Sequence, residues 1–133
     1  MLKRIWPVLF LLVMLECKPG TSDPVIECND GPNQAVLIRK GCEAYVFQLT
    51  QTSALAQEDW TEIFSKKSYK NVISILNYCD ESPDSKILQS LNTGDQVTMQ
   101  LFATNYRCFI QCFAFEDAPV KAYTASNVVI CLK

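Results

Sequence analysis

The sequence has no histidine, only 4 glycines and no surplus of basic charge: 12 Lys and Arg stand against 14 Asp and Glu in 133 residues. Without imidazole there is no Ser-His-Asp or Cys-His machinery, and no zinc site built on histidine. A formal charge of −2 offers no basic surface for gripping a nucleic-acid backbone. The N-terminal apolar run, residues 5–15, falls short of the roughly 20 residues a membrane-spanning helix needs. What the chain does have is 49% hydrophobic residues, too many for a disordered segment, and a length that suits one domain.

Seven cysteines are the strongest positive signal. Lys3 and Arg4 precede the apolar run, and Glu16 and Lys18 close it, which is the pattern of a secretory leader. Gly20 and Ser22 place small residues for cleavage after Ser22; cleavage after Cys17 is the second choice. Residues 1–22 are therefore expected to be a signal peptide, and residues 23–133 a single secreted domain. Cys17 leaves with the leader. Cys28, Cys42, Cys79, Cys108, Cys112 and Cys131 remain, an even set expected to form three disulfides in an oxidising compartment. Their spacing does not choose the connectivity. It does disfavour a Cys108–Cys112 bridge, because four residues of strand span roughly 13 Å. Taking Lys3, Arg4, Lys18 and Glu16 from the totals leaves nine basic and thirteen acidic residues, a net charge of −4.

Patterning along the mature chain predicts an α+β fold: a small disulfide-stabilised domain, mainly antiparallel sheet, with two or three helices in the middle of the chain. Residues 34–39, 44–49, 96–103 and 128–132 read as strands, and residues 106–115 as a strand apolar on both faces. Between them, Leu55, Trp60, Ile63 and Phe64 fall near helical spacing, with Ser53 as a cap. Tyr69, Val72, Ile73, Leu76 and Cys79 repeat at i, i+3, i+4, i+7 and i+10, which predicts a second helix. Residues 80–84 read as a loop, residues 85–91 as a short helical turn, and residues 116–127 as a loop.

The candidate sites are few. Glu58, Asp59 and Glu62 are expected on the wet face of the first helix, not across a cleft where paired carboxylates do acid–base work. Asp80, Glu81 and Asp84 lack the alternating oxygens and glycine of a calcium loop. Four thiolates can hold zinc, but the only close pair is Cys108 with Cys112, so no metal and no cofactor is expected. Lys66, Lys67, Tyr69 and Lys70 form the one basic cluster with an aromatic, the candidate partner contact. Cys79-x28-Cys108-x3-Cys112 resembles the first three cysteines of insect odorant-binding proteins, all-helical carriers of apolar ligands. Only Cys131 follows, so the resemblance ends there and assigns nothing.

An export signal, bridged cysteines and no catalytic constellation describe a secreted, non-enzymatic protein that binds an extracellular macromolecule as effector, receptor ligand or inhibitor. Nucleic acid and a membrane span are not expected. The alternative is an extracellular carrier of a small apolar ligand or lipid, with residues 106–115, Met99, Leu101, Trp60 and Phe64 lining its cavity.

Overall fold

The computed structural model describes Cys28, residues 31–77, residues 81–103, Cys112 and residues 116–131. Six strands and one helix follow in the order β1 (Ala35–Lys40), β2 (Ala44–Leu49), β3 (Gln57–Thr61), β4 (Ser68–Leu76), α1 (Pro83–Ser90), β5 (Gln96–Phe102) and β6 (Ala122–Ile130). β1 pairs antiparallel with β2, and β2 with β4. β4 runs parallel to β6, and β5 joins β6 to β1 antiparallel on both sides. The ladder thus returns to its first strand and closes a five-stranded barrel of β1, β2, β4, β6 and β5. A five-stranded Greek-key barrel of this order, with a helix between its third and fourth strands, has the topology of oligonucleotide/oligosaccharide-binding barrels. Shared topology alone assigns no ligand.

Alternation with period two builds the core. Ala35 and Leu37 of β1, Tyr45, Phe47 and Leu49 of β2, Ile73 and Ile75 of β4, Val97 and Met99 of β5 and Val128 of β6 all point inward and are buried. Leu88 of α1 and Leu91 just after it join the same cluster. Burial lifts the Tyr45 phenol above its ordinary pKa of 10.0, so it stays neutral at physiological pH. α1 starts where its sequence says it can. Pro83 occupies the first turn, and the Ser82 side chain accepts the Ser85 backbone N–H at 3.2 Å. The Asp84 carboxylate accepts the backbone N–H groups of Asn127 and Val128 and so docks the helix on β6. Lys40 of β1 donates to the carbonyls of Gln89 and Leu91 at the other end of the helix, where its charge suits the dipole.

The α+β expectation is overturned: strands make up 48% of the described residues and helix 10%, with one short helix among them in place of two or three. Both expected helices are strands, β3 and β4. The reason lies in β4. Val72, Ile73, Ser74 and Ile75 are all buried, because one face fills the barrel and the other lies under β3. A strand covered on both faces loses its period-two signature, and its apolar residues then mimic helical spacing. Ser53 does accept a backbone bond from Leu55 at 3.1 Å, but it closes a turn and caps no helix. The loop expected over residues 116–127 gives up its second half to β6.

Burial separates two phenylalanines cleanly. Phe47→Ala is expected to cost about 3–5 kcal/mol, whereas Phe64→Ala, at an exposed turn, should stay within about 0.5 kcal/mol. Urea unfolding of both variants checks this; equal losses would contradict the assigned core.

Candidate functional site

β3 stands outside the barrel. It pairs with the first half of β4, from Thr61↔Ser68 to Gln57↔Val72, while the second half of β4 pairs with β2. The chain changes course at Asn71, whose φ is 60°. Its amide fixes the bend, donating to the carbonyls of Leu49 and Gln51 and accepting the Ser53 N–H at 3.2 Å. The β3–β4 ribbon therefore folds back over the outside of β2 and β4. Trp60, buried to 6% exposure, packs there on Val46 and Val72, with Ile38 and Tyr69 beside them. Tyr69 stacks on Trp60 with ring centroids 6.0 Å apart, and the Arg39 guanidinium lies 5.5 Å from the Trp60 ring centre.

That arrangement has a consequence for ligands. Barrels of this topology hold nucleic acid and sugars on the outer face of their second and third strands. Here those strands are β2 and β4, and the chain's own Trp60 covers their face. Ser74, on the same face, is buried and donates its hydroxyl to the Pro119 carbonyl at 2.8 Å.

What the ribbon presents instead is its turn, residues 62–67. The Glu62 N–H donates to Lys67 O and the Lys66 N–H to Glu62 O, both at 2.9 Å, and Lys66 takes a left-handed φ of 60°. Ser65 donates its hydroxyl to Glu62 Oε2 at 2.6 Å. At the tip Phe64 is 69% exposed and Ile63 47%. Lys66 and Lys67 are exposed beside them, and among the described residues neither is ion-paired.

The tip is held from behind. Cys42, in the loop between β1 and β2, is bridged to Cys112, in the loop between β5 and β6. Glu116 accepts the backbone N–H groups of Cys42 and Glu43, and Asp117 accepts the Ile63 N–H at 2.9 Å. Arg39 joins the pieces: it donates to the Asp117 carbonyl, approaches Glu62 Oε1 at 3.7 Å and covers Trp60. The second bridge, Cys28–Cys131, ties a residue seven positions ahead of β1 to the residue after β6.

No family model, no curated protein and no solved structure matches this chain. The site is therefore read from its own residues.

Of the predicted contact cluster, only Lys66 and Lys67 sit together at the tip. Tyr69 faces the barrel under the ribbon, and Lys70 pairs across the strands with Asp59 at 3.6 Å, well exposed to water. Glu58, Asp59 and Glu62 lie on or beside β3, not on a helix; Asp59 and Glu62 face cations rather than each other. Of the six cysteines, Cys28, Cys42, Cys112 and Cys131 are paired; Cys79 and Cys108 lie outside the described residues. So does most of the segment 106–115 invoked for a carrier, together with the expected leader. The other carrier residues scatter. Met99 fills the barrel, Trp60 lies outside it and Phe64 faces solvent.

Two concavities sit at the far end of the ribbon. One, of about 210 Å³, is lined by Asn33, Gln34, Gln51 and Ser53; the other, of about 460 Å³, shares Ser53 and runs to Ala56, Glu58 and Asn71. Both are open surface grooves, the smaller with mostly polar walls, unlike the enclosed apolar space a lipid needs. Among the described residues no helix is long and apolar enough to cross a membrane, and no group of three or more Cys, Asp or Glu gathers as a metal would require.

Sequence reasoning passed over Arg39, Asn71 and Glu116, and it puts Phe64 on a helix face and in a carrier's cavity, not on an exposed turn. Asn71, a turn-former between Lys70 and Val72 in a β-prone run, was a readable sign of a bend. Gly41 was another. A Cβ there would lie 2.1 Å from Glu116 Oε1 and 2.6 Å from Ala44 O. Gly41→Ala is accordingly expected to dislodge Glu116 and cost about 1–3 kcal/mol in thermal or urea unfolding. An unchanged midpoint would contradict this packing.

Proposed function

We propose that this is a secreted, non-enzymatic protein that acts by binding an extracellular protein through the tip of the β3–β4 hairpin. The observation that carries the reading is Phe64. A large aromatic is 69% exposed on a turn whose backbone is bonded to itself and to Asp117. Aromatic side chains are enriched at the centres of protein interfaces, and a turn already ordered loses little entropy on docking. Two disulfides support the extracellular setting, since such bridges persist in oxidising compartments. Burial of the β2–β4 face under Trp60, together with the acidic balance of the chain, argues against nucleic acid as the partner. The filled barrel interior argues against a carrier of apolar ligands.

The test compares immobilised wild-type protein with Phe64→Ser as baits in the extracellular fluid of the source tissue. At least one protein is expected to be retained by the wild type and lost, by about tenfold or more, from the variant. Identical retained sets would reject the tip as the binding element.

A further inference from the structure

We infer that the partner offers an apolar socket bordered by carboxylates, with Phe64 entering the socket and Lys66 and Lys67 meeting its rim. This rests on the reading of the tip as the binding element and adds the chemistry of what it binds.

The charges around the tip divide into used and unused. Glu62 is engaged on both oxygens, by Arg39 at 3.7 Å and by Ser65 at 2.6 Å. Asp117 accepts the Ile63 N–H, and Glu116 accepts two backbone N–H groups. Lys70, further down the ribbon, faces Asp59. Among the described residues, the two ammonium groups at the turn are the charges left over. They flank the exposed pair Ile63 and Phe64, so apolar surface and uncompensated positive charge coincide in one short turn.

Backbone conformation adds an independent sign. Lys66 holds a φ of 60°, a region where glycine or asparagine sits at less cost than a long side chain. A lysine in that place supplies charge at the expense of backbone ease.

The remainder of the molecule selects protein over lipid. The domain after the expected leader is acidic, so a broad anionic membrane would repel it while attracting two lysines. A socket with a few carboxylates acts differently. Screening confines its field to about 8 Å at physiological ionic strength, within reach of the tip but not of the body. An acidic body with a basic tip also orients the molecule during approach, which raises the association rate more than the final affinity.

The test is selection of a displayed random-peptide library on the immobilised wild-type protein. Recovered peptides are expected to combine aromatic or branched apolar residues with Asp or Glu, and to bind more weakly as salt rises. Phe64→Ser and the double variant Lys66→Glu, Lys67→Glu should each weaken them about tenfold or more, while Lys86→Glu, on α1, should leave them unchanged. Lys66→Gly, which eases the backbone as it removes the charge, should weaken binding without loss of stability. Peptides that need Phe64 but ignore both lysine variants and salt would overturn the socket's acidity and leave the hairpin reading standing. Peptides indifferent to Phe64→Ser, or no enrichment over an unrelated acidic protein, would remove both. Vesicles of phosphatidylcholine with phosphatidylserine provide the last arm: co-sedimentation abolished by Phe64→Ser would overturn the inference in favour of a lipid surface.

Discussion

The Cys42–Cys112 bridge ties the loop after β1 to the loop before β6, across 70 residues of chain. Closing a loop of that length removes about 4 kcal/mol of freedom from the unfolded chain on an entropic account. Its local effect matters more to the site. With Cys112 fixed against Cys42, Glu116 and Asp117 follow within a few residues and reach the Cys42 and Glu43 backbone on one side and Ile63 on the other. Without this tether the hairpin turn would rest on its own ribbon and on the contact of Trp60 with the barrel.

Closure of the sheet supplies the rigid body behind that turn. Every barrel strand is bonded on both sides, so no barrel edge is left open to pair with another chain. β3 is the exception, and its exposed residues Glu58 and Asp59 are charged, a familiar guard on an edge. The second apolar cluster, centred on Trp60, packs the ribbon onto the outer face of β2 and β4. Arg39 then serves as the common partner of three parts: the Trp60 ring, the hairpin base at Glu62 and the Asp117 carbonyl. Loss of its planar, multi-donor head would loosen all three at once, which a lysine with a single ammonium could not repair.

How legible this was depended on how many faces of each strand were buried. β2 was read with its observed bounds, and β1 and β5 to within a residue, because aromatic and branched residues dominate them. β4 failed because both its faces are covered, and β3 because Glu58 and Asp59 disguise a strand with one buried residue, Trp60. β6 was seen only at its end: its first residues, Ala122 to Asn127, are half-buried or exposed and carry little apolar signal. At the site, the lysines are visible as a charge cluster, but the helical spacing of Phe64 with Trp60 and Ile63 hides its place on an exposed turn. Cys28, Cys42, Cys112 and Cys131 are recognisable as bridge formers; their pairing is not, since it depends on segments brought together by barrel closure.

One covalent tie, Cys42–Cys112, holds the loops behind the hairpin. Non-reducing peptide mapping of the protein tests it most directly. The account predicts one disulfide-linked peptide joining Cys42 to Cys112 and another joining Cys28 to Cys131. Recovery of Cys42 or Cys112 as a free alkylated thiol, or either one linked to a different cysteine, would contradict it.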